Sequence, residues 1–414
     1  MGKVLKLKSF FQIFIACVFV HGLILPAAAE DKHPKLILQI TVDALRGDLP
    51  MRYSSHYGKG GWRYLLDQGT HYINAHYRHA NTETIVGHAS LATGAYPADH
   101  GMVANVWLDR QDIVLHYNIE DPKHRLLTAG AGDELTLDFA KALVINEGIG
   151  QDDITDYLAI SFSSTDYINH LFGPSSLEAE ENQRRLDRTL AELFSFIDAK
   201  VGLDKTLIVL AADHGSPEVP GYLNALGIEA GYFDTKTLDR QPAIAALKKR
   251  FGIGDELIEK YFHPYLYLNR ELIQQKDLDQ AEVERAVAAE LLKFPGLSLA
   301  VSSEALLRGD VPDTWQMRAV LRNHAPARSG DIYIVFAPHT FINDFDGLIV
   351  AATHGSPWHY DFYVPIIFAG HGVRGTRISR LVSPYDIAPT LSAYLGITPP
   401  SGSSGLPLVE VLKE

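Results

Sequence analysis

Cysteine is nearly absent. Cys17 is the only one in 414 residues, so no disulfide framework staples this chain and no thiolate-rich metal site can form in it. Basic residues are short as well, 37 Lys and Arg against 50 Asp and Glu, for a formal charge of −13 at pH 7. A surface this acidic argues against nucleic acid as a bulk partner. It leaves small phosphorylated substrates open, because bound divalent cations can dominate the field of a local site. Short-period repeats and low-complexity tracts are missing too, and the Gly- and Ser-rich stretch Pro399–Gly405 reads as a terminal loop.

Long apolar runs are scarce, and the most extended one lies at the start. Lys3, Lys6 and Lys8 precede an apolar stretch from Phe10 to Pro26, and Ala27, Ala28 and Ala29 follow it. This is the pattern of a secretory signal peptide over residues 1–29, cleaved near Ala29. An N-terminal membrane anchor is the rival reading, but His21 and Gly22 leave the run short of the ~20 continuous apolar residues a spanning helix prefers. A lipid-acceptor role for Cys17 is disfavoured by the very short apolar stretch before it. Cleavage would send the mature chain to the periplasm or outside the cell, without a thiol or a stable membrane span. It would also remove those three lysines and no acidic residue.

What is present is a globular balance, 46% hydrophobic and 21% charged residues. Apolar runs rich in Ile, Val and Leu recur at Leu36–Val42, Leu158–Phe162, Thr206–Ala212, Asp331–Ala337, Leu348–Ala352 and Val364–Ala369. Their lack of alternation predicts strands buried on both faces of a mainly parallel sheet. Between them, Leu186, Leu190, Leu193 and Ile197 keep helical spacing within Leu177–Lys200. The predicted class is α/β, a three-layer α/β/α sandwich. Residues 217–327 differ: they are charged and helix-rich, with strand-like Tyr265–Asn269 and Leu297–Ser302 and a helix near Asp277–Lys293. They are read as an inserted cap subdomain, which leaves 30–216 and 328–414 as the core.

Four of the apolar runs lead into residues that bind metals. Asp43 ends the first, Asp166 and His170 follow the second, Asp213 and His214 close the third, and His354 follows the fifth. In open α/β sheets ligands gather outside the carboxyl ends of the strands, so the six would converge on one edge. Singly, each has a plain structural reading as a helix cap or turn residue. Their recurrence at strand ends favours chemistry, and three Asp with three His suit two borderline divalent ions such as zinc. Between the first two ligand strands, Thr84 is predicted to be a helix N-cap, with Gly94 as the stop. A hydroxyl there, next to a metal, has a lowered pKa, and the helix end favours an incoming phosphate.

Thr84-x-x-Gly87-His88, followed by Thr93-Gly94, Pro97, His100-Gly101 and Asn105, resembles the nucleophile segment of the alkaline phosphatase superfamily. The likeness is chiefly to the phosphate-irrepressible bacterial alkaline phosphatases, and extends to the type I phosphodiesterase/nucleotide pyrophosphatase group. It continues through Ser163–His170, Ala212–Gly215, His354–Ser356 and Ser383–Leu391. The resemblance implies a phosphomonoesterase in which Asp166, His170 and His354 hold one zinc ion. Asp43, Asp213, His214 and the Thr84 oxygen would hold another. It makes Thr84 the nucleophile of a phosphothreonine intermediate, and Asn105 a donor to a non-bridging phosphoryl oxygen. His88, His359 and Asp361 are read as structural. Sulfatase chemistry is disfavoured, because Thr84–Gly87 lacks the Cys/Ser-x-Pro-x-Arg pattern. A phosphoglycerate mutase would use Ser, and a non-catalytic metal binder would have no need of Thr84 and Asn105.

The likeness breaks at Gly132-Asp133-Glu134-Leu135, which runs straight into Thr136–Lys141. The phosphate-irrepressible enzymes carry a long stretch there, with a Lys and an Arg that contact the phosphoryl group. No residue of this chain receives those roles. The alternatives are therefore a diesterase-leaning enzyme or an impaired one.

Overall fold

Strand Leu36–Val42 is buried at every position, which the sequence LILQITV anticipates. It belongs to a six-stranded sheet whose order is Thr376–Ile378, Thr70–His76, Tyr363–Gly370, Thr206–Ala211, Leu36–Val42, Asp156–Phe162. Leu36–Val42 pairs in parallel with both Thr206–Ala211 and Asp156–Phe162, and Thr376–Ile378 is parallel to Thr70–His76. Tyr363–Gly370 runs against both of its neighbours. The computed structural model describes residues 33–109, 114–117, 131–254, 256–345 and 348–412, so the expected signal peptide and Cys17 lie outside the described residues.

Alternate residues of the buried strands face two different helical layers. Leu36, Leu38, Ile40, Ile208 and Leu210 pack on Leu137 and Val144 of helix Ala131–Glu147 and on Leu186, Leu190, Leu193 and Ile197 of helix Leu177–Lys200. Ile37, Leu207, Val209 and Ala211 meet Leu91 of helix Thr84–Thr93 and Ile387 and Leu391 of helix Ile387–Leu395. The expected α/β class with a mostly parallel sheet is thus the observed one. Helix Leu177–Lys200 begins where Ser176 accepts a hydrogen bond from the Ala179 N–H, with Glu178 and Glu180 in the first turn and Lys200 in the last.

Two of the predicted core strands lie elsewhere. Ile332–Phe336 joins an antiparallel four-stranded sheet ordered Leu297–Ser302, Ile332–Phe336, Tyr265–Leu268, Ile258–Phe262. One of its faces packs on helices Pro242–Phe251 and Gln280–Leu291, and the other on Met317 and Val320. A continuous apolar run reports burial on two faces but not which sheet supplies them. Leu348–Ala352 forms only a two-residue strand, Leu348–Ile349, paired with Asp344–Phe345.

Candidate functional site

The parallel strands point their carboxyl ends at one edge of the large sheet, and the antiparallel Tyr363–Gly370 brings its amino end there. Asp43 directly follows Val42, and its N–H donates to the Phe162 carbonyl at 3.0 Å. Asp213 and His214 follow the next strand by one residue. Helix Ser164–Phe172 starts just beyond Phe162 and presents Asp166 and His170, four residues apart, on one face. His354 arrives differently from the expectation: it sits in the loop between Leu348–Ile349 and helix His359–Phe362, not at the end of a core strand. Thr84 is the first residue inside its helix; the N-cap is Glu83, without a side-chain cap bond, and Gly94 ends the helix at φ 67° as predicted. Gly87 marks where this helix touches the ligand loop, since a Cβ there would lie 2.1 Å from the Asp213 carbonyl oxygen.

Five of the six ligand candidates meet in two overlapping groups that share Asp166, and Asp213 adjoins the second through His214. His170 Nε2 lies 3.3 Å from Asp166 Oδ1, and His354 Nε2 lies 3.6 Å from the same oxygen. His214 Nε2 stands 3.4 Å from Asp43 Oδ1, 3.5 Å from Asp213 Oδ2 and 3.3 Å from Thr84 Oγ1. Ligand atoms of Asp166, His170 and His354, and separately of Asp43, Asp166 and His214, lie within 4.8 Å of one another. His214 and His354 stack at 3.6 Å between ring centroids.

Each imidazole is turned by a backbone carbonyl on its far side. The Nδ1 atoms of His170, His214 and His354 meet Ala352 O at 2.8 Å, Gly215 O at 2.9 Å and Thr82 O at 2.8 Å. A carbonyl can only accept, so Nδ1 donates and Nε2 is left as a lone-pair donor facing the cluster. Asp213 Oδ1 is held by the Ala44 and His214 N–H groups, which directs Oδ2 inward. Asp43 Oδ1, Asp166 Oδ1 and Asp213 Oδ2 are buried without a hydrogen-bond partner among the described residues. Buried, unpartnered carboxylate oxygens facing imidazole lone pairs are costly as they stand, and the donor set fits divalent cations.

The electrostatics carry the same imprint. Burial, then Asp213 and Asp166, push the Asp43 carboxyl well above its usual range. Burial would raise Asp166 as well, but His170 and His354 hold it below the ordinary carboxylate range. Burial and His214 push His354 well down.

Around the cluster, His88 reaches Asp213, Nε2 to Oδ2 at 3.6 Å. Asn105 Oδ1 accepts from the Ile85 N–H at 3.1 Å, and its own N–H donates to Glu83 Oε2 at 2.7 Å. Glu83 has no motif to announce it; it is buried, also accepts from Asn81 Nδ2 at 2.9 Å, and burial pushes its pKa up to about 7. Asp361 accepts from the Ser356 N–H at 3.0 Å and so shapes the loop of His354, while His359 packs against His76 and Tyr363. A cleft of about 800 Å³ is lined by Glu83 and Asn105 together with Phe233, Tyr261 and His263.

The family model described as type I phosphodiesterase / nucleotide pyrophosphatase matches this chain over residues 37–142 and 131–357. The two stretches meet in the segment where the sequence departs from its expected pattern. The chain is 31% identical to a Myroides odoratus protein named calcium-transporting ATPase, over 86% of this chain, and spans 62% of that relative's length. It is 25% identical to alkaline phosphatase PafA of Elizabethkingia meningoseptica, over 92% of this chain and 94% of the relative. That alignment runs over 530 positions, more than the 414 residues here, so the relative carries segments that this chain lacks. The crystal structure of PafA matches with a TM-score of 0.84 at 24% identity, covering 92% of this chain and 99% of that one. An inactive murine ectonucleotide pyrophosphatase / phosphodiesterase 5, crystallised with AMP, matches with a TM-score of 0.61 at 15% identity, over 89% and 96%.

Proposed function

The chain belongs to the type I phosphodiesterase / nucleotide pyrophosphatase family and is a phosphoric ester hydrolase; from that premise we propose that it acts through Thr84 on small phosphorylated substrates with two zinc ions. Asp166, His170 and His354 would hold one ion, and Asp43, Asp213, His214 and the Thr84 oxygen the other. The observation that carries this reading is the clustering of three buried, unpartnered carboxylate oxygens with three outward-braced imidazoles, one of which, His214, meets the Thr84 hydroxyl at 3.3 Å. Zinc at these positions supplies positive charge that lowers the pKa of the hydroxyl and neutralises the phosphoryl oxygens.

Thr84, at the first turn of its helix, loses its proton and attacks phosphorus. The bond to the ester oxygen breaks and the leaving oxygen takes up, through solvent, the proton given up by Thr84, so that the alcohol leaves and a phosphothreonine remains. Water then displaces Thr84 and releases phosphate, or a phosphomonoester where the substrate was a diester. The helix amino terminus and the Asn105 amide favour the negative phosphoryl oxygens throughout. Residues 217–327, whose four-stranded sheet also takes in Ile332–Phe336, would act as a cap beside the site, and the mature chain would work in the periplasm or outside the cell. No helix among the described residues is long and apolar enough to cross a membrane.

A second reading, preference for diesters, is favoured by the Lys and Arg for which this chain offers no counterpart. The proposal is tested with Thr84→Ala in the mature chain. Turnover of p-nitrophenyl phosphate and bis-p-nitrophenyl phosphate should disappear while zinc content stays near two per chain, because all six Asp and His ligands remain. Wild-type turnover by that variant would remove Thr84 from the mechanism, and folded wild-type protein without bound zinc would remove the metal assignment.

A further inference from the structure

The loop that carries His354 is held from three directions. Thr82 accepts from His354 Nδ1 through its carbonyl and donates Oγ1 to Ser356 O at 2.9 Å. Asp361 takes the N–H of Ser356. The third hold comes from the other sheet. His263, just past strand Ile258–Phe262, places Nε2 2.8 Å from the Gly355 carbonyl oxygen and Nδ1 2.6 Å from the Tyr261 hydroxyl.

The partners fix the protons. Gly355 O can only accept, so Nε2 carries the hydrogen, and Nδ1 must accept from the Tyr261 O–H. Burial pushes the His263 pKa down to about 4, which keeps the ring neutral with one donor and one acceptor. The ring lies parallel to Phe336, 8° between planes and 6.0 Å between centroids. Gly355 sits at φ +107°, and a Cβ there would come within 2.7 Å of His263 Nε2. The backbone beside the ligand therefore adopts a conformation open to glycine, and the imidazole fills the space a side chain would need.

We infer that His263 is a positioning residue for the metal site formed by Asp166, His170 and His354, acting through the Gly355 carbonyl on the backbone next to His354. The antiparallel sheet thereby becomes part of the metal-binding apparatus and not only a wall of the cleft. The inference rests on the two-zinc reading above. Without His263 the Gly355 carbonyl loses its donor, the loop gains freedom, and His354 Nε2 spends less time aimed at the ion. Outer partners of metal ligands typically contribute 10- to 100-fold in affinity; one step further out, about tenfold is expected. The site of Asp43, Asp213 and His214 should be affected less, since its one contact with this loop is the stacking of His214 on His354.

The test is zinc binding to the full mature chain, with Zn²⁺ alone competed against a chromogenic chelator, and Co²⁺ absorption as a signature of ligand geometry. His263→Ala should weaken one of two binding steps about tenfold and alter one cobalt band set. His263→Gln, whose amide N–H can reach the carbonyl, should restore much of the affinity, and Tyr261→Phe should give a smaller loss. A general structural role would instead lower melting temperature without separating the two steps. Equal weakening of both steps, or unchanged binding in His263→Ala, overturns this inference while leaving the proposed function intact. Wild-type protein that binds no zinc overturns both. Should His263→Ala fail to fold, Tyr261→Phe with wild-type zinc constants overturns it equally.

Discussion

At the scale of single residues, the site depends on contacts as much as on ligand identity. Gly87 shows this: it is the point where helix Thr84–Thr93 meets the Asp213 backbone, and the missing Cβ would sit 2.1 Å from the carbonyl oxygen and 2.7 Å from the Cα of that residue. Backbone atoms do not yield as the end of a flexible side chain does. Gly87→Ala must therefore push the helix away from the ligand loop, and Thr84, one turn earlier, moves with it. Overpacking of this kind costs about 1–3 kcal/mol. A displacement near 1 Å at a reacting atom costs on the order of 10²-fold in rate. We expect Gly87→Ala to fold with a lowered melting temperature and to lose about two powers of ten in kcat on p-nitrophenyl phosphate. Unchanged kcat together with unchanged stability would mean that the helix has slack at this contact.

Among elements, what the sequence revealed depended on how local the cause was. Leu36–Val42 and Leu177–Lys200 were readable to the residue, because total burial and a continuous amphipathic stripe leave a direct mark on composition. Thr70–His76 escaped notice because polar Thr70 and His71 occupy buried positions, Thr70 satisfied by a hydrogen bond to the Arg374 carbonyl 304 residues away. The reversed direction of Tyr363–Gly370 leaves no trace in an apolar run. The ligand candidates stood out for the same reason as the strands, since Asp and His at the ends of apolar runs contrast with them. His354 stood out by its motif but was credited to the end of a core strand, where the structure has a loop. Glu83 and His263 carry no motif, and their roles exist only once the two sheets bring Asn105 and Gly355 to them.

Over the whole molecule, titration and the missing segment set the working limits. Burial depresses His71, His76, His100, His263 and His324 to about 4, against an ordinary 6.5, with Arg377, His359 and Arg328 adding to the effect on the first three in turn. Unfolded chain takes up those protons near pH 6.5 while folded chain resists until about 4, so this stability is present above 6.5 and lost as pH falls through 4. Glu83, raised to about 7, and Asp133, raised to about 6, act oppositely: their contribution is present at low pH and lost as pH rises. Asp43 and Asp361, which burial pushes well up, side with these two, while His79 and His354, which burial pushes well down, join the histidines. The histidines outnumber the carboxyls, so the melting temperature should be lower at pH 5 than at pH 7.5, and an equal or higher value at pH 5 would mean that the raised carboxyls dominate. The missing segment bears on catalysis. Leu135 and Phe139, on the helix where the two stretches matched by the family model overlap, are 58% and 71% exposed. Mono- and diesters would both use the metals and Asn105, but only a monoester brings the further anionic oxygen that the Lys and Arg would have met. A hydrogen bond to a charged group is typically worth about 1.5–3 kcal/mol, so losing two should slow monoester turnover by about two to four powers of ten. Diester turnover should suffer far less. Side-by-side kcat/KM values for matched aryl mono- and diesters, against a relative that retains the segment, decide the matter: equal monoester efficiency would mean that another cation of this chain does the work of the absent pair.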